Sequence, residues 1–353
     1  MDSRDGISGV MDTAALGGLD DLRLRADRGD AGAMTQLGSR LLIGDNAPLE
    51  QQEGFTWIGK GAEAGDATGL ALMAALTGIG AFAPQNWSQA LDYLARAAER
   101  GSVSAQGQLR LLSAGPETAI AVDPAANWAD LARRVDVAAW IAPPERTPLW
   151  ETPRIRMARR FASPAVCDWL KGAAQDRMRP AMMYDGETKT EAVDPHRTCS
   201  DYQFDILNTD LVLLLVRARV AEVTRLPTVA MEPPRVFHYA LGEQIKPHYD
   251  RCGNPVEGYA EGGYLGDRIV TFLLYLNDGF VGGELDFPKS NVRFKGVKGD
   301  AIYFAHVDAA GKPDPLSLHA GLTITQGEKW VLSQWIHDRP FGVPETAGAP
   351  ATA

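Results

Sequence analysis

The segment QIKPHYDRC (residues 244–252) places His248 and Asp250 two positions apart, immediately before a glycine-rich run. In an extended chain, residues i and i+2 project from the same face, so an imidazole and a carboxylate at these positions converge on one point. The segment PLSLHAGLTI (315–324) adds His319 just before a late strand-like run. These three side chains are the candidate ligands of a single metal ion.

The types of ligand restrict the metal and its chemistry. Two histidines and one carboxylate on one face leave three positions of an octahedral ion open, which is the facial triad typical of non-haem Fe(II) oxygenases. A zinc hydrolase also uses two histidines and a carboxylate, but it needs a general base beside the metal-bound water. Glu243 is the candidate for such a base, so both metals stay open on the ligand types alone.

Short strand-like runs surround the candidate ligands from residue 234 onward. They are rich in Val, Ile, Phe, Tyr and Trp, and Gly, Asp, Asn and Pro separate them, as is typical of strands and turns. Many short strands without intervening helices predict a β-sandwich or jelly roll. The runs are RVFHYAL, RIVTFLLYL, GELDF, VRF, DAIYFAHV, LTIT and KWVLSQWI.

A lysine lies inside the last of these runs. Lys329, in GEKWVLSQW, follows His319 by ten residues and is surrounded by aromatic and aliphatic side chains. Burying an ammonium group without a partner is costly, so a buried Lys329 would need an anion such as a dicarboxylate cosubstrate. The alternative is that Lys329 lies on an edge strand and points to water.

The first third of the chain carries an internal repeat. The segments DRGDAGA, EAGDATG and ERGSVSA place glycines at positions 29, 65 and 101, a constant spacing of 36 residues. A period in the mid-thirties with two helices per unit predicts a helical solenoid, in which each hairpin buries its apolar face against the next. Columns of apolar residues keep the same period: Leu22, Ile58 and Leu94; Trp57 and Tyr93; and Leu37, Met73 and Leu109.

Prolines divide the chain into two predicted domains. Neither a helix nor a central strand is expected in APPERTPLWETP, because proline removes a backbone donor and restricts the preceding residue. NWADLARRVDVAAWI before it is predicted to be a helix, as are SPAVCDWLKGAAQ and NTDLVLLLVRARVAEVTRL after it, the last with an Asn or Thr cap. We predict a flexible N-terminus (1–19), a helical-repeat domain (20–140), a Pro-rich linker (141–153), a catalytic domain (154–340) and a flexible tail (341–353).

Composition and charge exclude several classes of protein. A formal net charge of −10 over 353 residues argues against a nucleic-acid binder, which needs a basic surface; it favours solubility or, less directly, basic substrates. Neither a signal peptide nor an apolar run long enough to span a bilayer is visible. Three scattered cysteines do not form a disulfide framework, so we expect a cytoplasmic protein.

Two known families resemble parts of this sequence. Residues 20–115 are similar to Sel-one-like, tetratricopeptide-type repeats, whose units end in a segment like AAERGSVSA (97–105). Residues 154–338 resemble the 2-oxoglutarate-dependent Fe(II) dioxygenases, and among them the prolyl 4-hydroxylase group. The segments that carry this second resemblance are HRTCSDYQF, VAEVTRLP, EPPRVFHYALGEQIKPHYD, RIVTFLLYLND, GGELDFP and KGDAIYF. Together the two imply a helical-repeat solenoid followed by a double-stranded β-helix (jelly roll) with flanking helices.

The second resemblance implies a cofactor set and residues that bind it. It assigns His248, Asp250 and His319 to Fe(II) and Lys329 to the distal carboxylate of 2-oxoglutarate. Dioxygen is the second cosubstrate, and ascorbate is the expected supporting reductant. Three further residues match or neighbour the cosubstrate pocket of the group: Tyr239, Tyr275 and, as a lesser candidate, Thr271.

The chain departs from the group at positions that bear on the substrate. Ile245 stands where the group usually has a tyrosine, and Arg235 stands where glutamine is usual. Together with Trp330, these residues are the candidates for substrate contacts, although Arg235 is also placed to form an ordinary ion pair. The departures leave the ligand set intact and bear on prolyl specificity.

The resemblance therefore implies a procollagen-proline 4-dioxygenase-like hydroxylase that acts on a peptidyl residue of a protein. The helical repeats either dock that protein or only brace the catalytic domain. A free amino acid, another side chain or a small metabolite is the alternative substrate, and a non-catalytic interaction scaffold is the alternative class. We expect residues 251–267 to form a lid, and we expect structural or surface roles for His196, His238, His306 and His337.

Overall fold

The computed structural model describes residues 13–117, 127–185, 190–193, 197–250 and 267–341. These residues divide into two compact units. Among them, no helix is both long enough and apolar enough to cross a membrane. The predicted lid (251–267) lies outside the described residues except for its last residue.

The first unit holds the repeat helices, the helix that follows them, and residues Ile206–Leu214. Consecutive helices form antiparallel hairpins, as the 36-residue period predicts. The helices are α1 (Thr13–Asp27), α2 (Ala31–Ile43), α3 (Gln51–Glu63), α4 (Ala67–Ile79), α5 (Trp87–Glu99), α6 (Val103–Ser113) and α7 (Trp128–Arg134).

The turn between the helices of each hairpin repeats in atomic detail. Gly29, Gly65 and Gly101 have φ values of 95°, 89° and 87°, a left-handed conformation that favours glycine. The next residue in each case caps the following helix, because its side chain accepts a hydrogen bond from the backbone three residues on. These capping residues, also 36 positions apart, are Asp30, Asp66 and Ser102.

The apolar columns form the core of the repeat unit. Leu22, Ile58 and Leu94 are at most 4% exposed. Glycine allows the closest approach between helices: a Cβ on Gly38 would lie 2.5 Å from the carbonyl oxygen of Gly54. The helices α2 and α3 therefore pack backbone against backbone at this point.

The second unit is built on antiparallel sheets. The large sheet has the order β1-β2-β13-β9-β16-β7-β6-β3 and the smaller one β12-β11-β14-β8, with two-stranded pairs β10-β15 and β4-β5. The strands are β1 (Arg146–Trp150), β2 (Ile155–Ala158), β3 (Arg179–Pro180), β4 (Met182–Asp185), β5 (Thr190–Val193), β6 (Ser200–Gln203), β7 (Arg235–Tyr239), β8 (Ile245–His248), β9 (Arg268–Tyr275), β10 (Val281–Gly282), β11 (Leu285–Phe287), β12 (Val292–Phe294), β13 (Ala301–Ala305), β14 (His319–Gly321), β15 (Ile324–Gln326) and β16 (Lys329–His337).

The core of the second unit lies between the two larger sheets. Large aromatic side chains fill it, among them Phe237, Tyr275, Phe287 and Phe304. The antiparallel strands and this shared apolar interior agree with the predicted double-stranded β-helix. Helices and 3₁₀ turns accompany the sheets: α8 (Val137–Ile141), α9 (Pro164–Gln175), α10 (Leu211–Thr224), whose first turn groups with the repeat helices, and 3₁₀ turns at Thr228–Ala230 and Pro315–Ser317.

Several predicted boundaries differ from the structure. Helix α1 already begins at Thr13, inside the predicted flexible N-terminus. The predicted helix over 127–141 is two helices, α7 and α8, because the backbone is extended at Val135. The cap of α10 is Asp210, which accepts a hydrogen bond from Leu213 N, rather than the predicted Asn or Thr.

The predicted linker contains a strand. β1 (Arg146–Trp150) pairs with β2, although Pro148 lies within it. The strand ends the large sheet, so one of its sides needs no partner, and proline is tolerated on edge strands for that reason. In addition, residues Ile206–Leu214 group with the repeat helices, although the sequence assigned them to the catalytic domain.

Candidate metal centre and cosubstrate pocket

Strand pairing brings the predicted metal ligands together. β8 ends at His248 and β14 begins at His319, and these two residues are direct partners in the antiparallel register. Asp250 follows β8 by two residues. One ligand atom from each of the three side chains lies within 4.8 Å of the other two. The prediction of one shared site for two segments about 70 positions apart agrees with this geometry.

Backbone carbonyls fix the tautomer of both imidazoles. The Nδ1 atom of His248 lies 2.8 Å from the carbonyl oxygen of Lys246, and Nδ1 of His319 lies 3.0 Å from that of Ser317. A carbonyl only accepts, so each Nδ1 carries a proton when the ring is neutral. Both Nε2 atoms then keep their lone pairs and face Asp250, each 3.4 Å from one of its oxygens. This is the arrangement that a metal-binding histidine needs.

Asp250 is an ionised carboxylate in a buried position. Burial raises the pKa of Asp250, whereas the charge and Nε2–H groups that His319 and His248 carry when protonated lower it well below the usual range of an aspartate. Thr271 Oγ1 donates a hydrogen bond of 2.6 Å to its Oδ2 atom. A buried negative charge facing two imidazole lone pairs fits a divalent cation.

Lys329 is buried in the centre of the large sheet, between the partner strands β7 and β9. The side chain is 4% exposed, so the alternative of a solvent-facing lysine on an edge strand is wrong. Its Nζ donates to the carbonyl oxygen of Gly283 at 2.8 Å and lies 5.3 and 5.5 Å from the ring centres of Tyr239 and Tyr275. Burial lowers the pKa of Lys329 to about 8.

Lys329 and the metal ligands line one pocket. None of the described carboxylates forms an ion pair with the ammonium of Lys329. Two other residues on the pocket wall carry buried donors without a hydrogen-bond partner in the described part of the chain: Arg197 Nε and Trp335 Nε1. Buried polar groups are normally paired. A pocket that is short of acceptors fits a ligand rich in carboxylate and carbonyl oxygens, as 2-oxoglutarate is.

The two tyrosines differ in position but share a chemical state. Tyr239 is the register partner of Lys329, and Tyr275 is that of Val331. Burial raises the pKa of both phenols above the usual value. Each therefore stays a neutral hydroxyl that can donate a hydrogen bond to a carboxylate. Tyr239 lines the pocket as predicted, whereas Tyr275 is absent from the pocket wall, although its ring centre lies 5.5 Å from Lys329 Nζ.

Thr271 needs a correction. It lies in the pocket wall as predicted, but its hydroxyl is committed to protein atoms: it donates to Asp250 and lies 2.7 Å from Nε2 of His306. We therefore assign Thr271 to the support of Asp250 rather than to the binding of cosubstrate.

Two of the three predicted substrate contacts are also corrected. Arg235 forms an ion pair of 2.6 Å with Asp201 and is absent from the pocket wall. Trp330 alternates with Lys329 along β16, so it faces away from the pocket and stacks on His238 at a centroid distance of 4.3 Å. Period-two alternation along the strand already separates these neighbours.

Ile245 does line the pocket. It therefore stays the candidate through which this chain reshapes the substrate site. Glu243 accepts a hydrogen bond of 2.7 Å from Ala240 N and does not line the pocket. Without a base at that position, the zinc hydrolase alternative has no support from the geometry.

Reasoning from sequence missed one residue of the site and one cluster beside it. His306 was expected to have a structural or surface role. It is completely buried, and it contacts Thr271, the residue that donates a hydrogen bond to Asp250. Glu232 lies 2.6 Å from His337 Nε2 and accepts from Arg268 at 2.9 Å, and Arg268 in turn covers the ring of Trp335. Neither the role of His306 nor the cluster around Glu232 can be predicted from spacing along the chain, because the contacting residues come from distant strands.

Two imidazoles and a carboxylate beside a buried lysine define a non-haem iron oxygenase of the class that uses a 2-oxo acid. The family model described as the 2OG-Fe(II) oxygenase superfamily matches residues 234–337. Probable prolyl 4-hydroxylase 6 of Arabidopsis thaliana is 30% identical over 220 residues, which cover 57% of this chain and 75% of that protein. The chain belongs to the prolyl 4-hydroxylase family of Fe(II)- and 2-oxoglutarate-dependent oxygenases, and it is an enzyme of that kind.

Other relatives and solved structures cover smaller or similar shares of the chain. Prolyl 4-hydroxylase subunit alpha-1 of Rattus norvegicus is 29% identical over 201 residues, which cover 56% of this chain but only 37% of the subunit. Among solved structures, a viral collagen prolyl hydroxylase from Paramecium bursaria Chlorella virus-1 covers 52% of this chain and 95% of its own, with 25% identity and a TM-score of 0.40. A Sel1 repeat protein from Oxalobacter formigenes covers 33% and 88%, with 27% identity and a TM-score of 0.28.

Proposed function

We propose that this enzyme hydroxylates a prolyl residue within a peptide or protein. The observation that carries the proposal is the single pocket that joins His248, Asp250 and His319 to a buried Lys329. The names of the relatives support proline as the residue that reacts. The pocket itself supports the cofactor set of Fe(II), 2-oxoglutarate and dioxygen.

Each group of residues has a defined task in this proposal. His248, Asp250 and His319 would hold the iron, and the proton on each Nδ1 keeps the Nε2 lone pairs available to it. Lys329 would pair with the distal carboxylate of 2-oxoglutarate, with Tyr239 or Tyr275 donating a hydrogen bond to a carboxylate oxygen. When bound, the iron, 2-oxoglutarate and dioxygen would supply an oxidation in which one oxygen atom goes to succinate, formed with loss of carbon dioxide, and the other hydroxylates a C–H bond.

A peptide fits the remaining donors better than a small apolar molecule does. Arg197 Nε and Trp335 Nε1 are buried, belong to residues on the pocket wall and have no acceptor among the described residues. A peptide brings a carbonyl oxygen with every residue and can satisfy such donors, whereas a hydrocarbon leaves them unpaired at a cost. The apolar part of the wall, with Ile245 and Leu273, suits the ring of a proline.

We also propose two features that go with this activity. The helical repeats dock the protein that carries the proline, since stacked helical hairpins create extended binding surfaces. Ascorbate supports turnover by reducing iron that has been oxidised without a productive reaction. Docking by the repeats predicts a lower KM for a whole protein substrate than for a short peptide cut from it.

The test is a turnover assay on the full chain with Fe(II), ascorbate and 2-oxoglutarate. A panel of proline-containing peptides is compared with the same peptides carrying alanine at that position and with free proline. We expect succinate release together with a mass increase of one oxygen, located on proline, for some proline peptides only. Hydroxylation of free amino acids but of no peptide would overturn the peptidyl assignment and favour a small-molecule hydroxylase.

A further inference from the structure

His306 is fixed next to the metal centre although it is not one of the ligands. It directly follows β13 and is completely buried. Its backbone is held on both sides, because its N–H donates to Ile269 O at 2.8 Å and its carbonyl accepts from Asp314 N at 2.9 Å. Its Nε2 atom lies 2.7 Å from Thr271 Oγ1. A histidine in this position is either a core residue or part of the site.

The proton positions around Thr271 follow from the chemistry of its neighbours. Thr271 donates its single hydroxyl proton to Asp250 Oδ2, at 2.6 Å. Thr271 must then accept from His306, which places the proton of His306 on Nε2. The resulting chain of donors runs in one direction, from His306 to Thr271 to Asp250.

Distance decides the route by which His306 acts. Its Nε2 lies 3.8 Å from Asp250 Oδ2, too far for a direct hydrogen bond, whereas the two bonds through Thr271 measure 2.7 and 2.6 Å. The Nε2–H bond holds the threonine hydroxyl in the one rotation that points its proton at Asp250. The carboxylate is thereby held in one orientation relative to the two imidazoles.

We propose that His306 is a positioning residue for the metal site, acting on Asp250 through Thr271. The inference rests on the metal role proposed for Asp250, but not on the identity of the substrate. Outer residues that hold a ligand in place contribute about 10- to 100-fold to metal affinity. A histidine that only fills space between Phe304 and His319, whose ring centres lie 5.3 and 6.1 Å away, would contribute nothing through Thr271.

The test measures binding of Co(II) to the metal-free full chain, without cosubstrate, by the absorption of the bound ion. We expect Thr271→Val to weaken binding about tenfold and His306→Leu about fivefold. Thr271→Ser keeps the hydroxyl and His306→Gln places an amide N–H near the position of Nε2. We expect both conservative variants to bind within about twofold of the wild type.

The double variant separates positioning from packing. If His306 acts only through Thr271, adding His306→Leu to Thr271→Val causes no further loss of affinity. Additive losses of Co(II) affinity, wild-type affinity in His306→Leu, or a loss in His306→Gln as large as that in His306→Leu would each overturn the proposal.

Asp250→Ala distinguishes a failure of this proposal from a failure of the proposed metal site. If Asp250→Ala loses Co(II) while Thr271→Val does not, only the relay is wrong; if Asp250→Ala binds normally, the metal site is wrong as well.

Discussion

The repeat unit and the sheet unit differ in where they place polar side chains. In the repeats, the buried columns are apolar, and polar side chains such as Asp30 and Ser102 satisfy helix ends at the turns. Between the sheets, Asp250 and Lys329 are buried among aromatic rings. Such groups cost stability unless something pairs with them. The difference shows that the repeat interior serves packing, while the sheet interior is prepared for an ion and an anionic ligand.

The largest expected effect comes from removing the carboxylate of the metal site. Asp250→Ala deletes the one anionic ligand, so we expect hydroxylation to fall by more than about 100-fold. The aromatic core of the sheet unit does not depend on this side chain. Circular dichroism of the variant should therefore match that of the wild type, and turnover at wild-type rates would contradict the assignment of Asp250.

The next effect concerns the other end of the pocket. Lys329→Met keeps the length of the side chain and removes its charge, so we expect KM for 2-oxoglutarate to rise about 10- to 100-fold. Lys329→Arg, which keeps the charge with a different shape, should recover part of this loss. Steady-state kinetics with varied 2-oxoglutarate measures both. An unchanged KM in Lys329→Met would show that the cosubstrate binds elsewhere.

The titration of Lys329 predicts that kcat/KM for 2-oxoglutarate depends on pH. The pKa of Lys329 in the free enzyme is lowered to about 8, so the cation is present below that pH and is lost as the pH rises through it. A dianionic cosubstrate needs the cation, so kcat/KM for 2-oxoglutarate should fall up to about tenfold per pH unit above pH 8. Lys329→Arg should remove this alkaline limb, because a guanidinium keeps its proton.

The smallest effect on activity is expected in the repeats. A Cβ on Gly38 would meet backbone and Ile58 atoms at 2.5–2.7 Å, whereas Gly59 has nothing within 4 Å. Gly38→Ala should therefore destabilise the repeat unit by about 1–3 kcal/mol. Gly59→Ala, in the neighbouring helix, should be neutral or stabilise it by up to about 1 kcal/mol. Thermal unfolding measures both, and kcat on a short peptide should stay at the wild-type value in each variant.

The repeat period and the spacing of the candidate ligands predicted the main features of both units. The 36-residue repeat located the turns at Gly29, Gly65 and Gly101, because every hairpin of a solenoid faces the same packing problem. The two-residue spacing of His248 and Asp250 predicted a shared candidate metal site, and the two side chains do converge, although β8 ends at His248 and Asp250 lies just beyond the strand. The jelly roll followed from the many short strands.

Other features depend on pairing between distant segments and stayed hidden in the sequence. The link from His306 through Thr271 to Asp250 joins three separate stretches of chain. The edge position of β1, which tolerates Pro148, depends on the order of strands in the sheet. The sequence left both a substrate contact and an ion pair open for Arg235, and it could not name the partner because Asp201 lies on another strand.

The most direct test of the account is anaerobic absorption spectroscopy of the full chain with Fe(II) and 2-oxoglutarate. A 2-oxo acid that chelates a ferrous ion gives a metal-to-ligand charge-transfer band in the visible region. We predict this band in the wild type, its absence in Asp250→Ala, and its appearance only at higher 2-oxoglutarate concentration in Lys329→Met. No band in the wild type, or an identical titration in all three proteins, would contradict the claim that these residues form one iron and cosubstrate site.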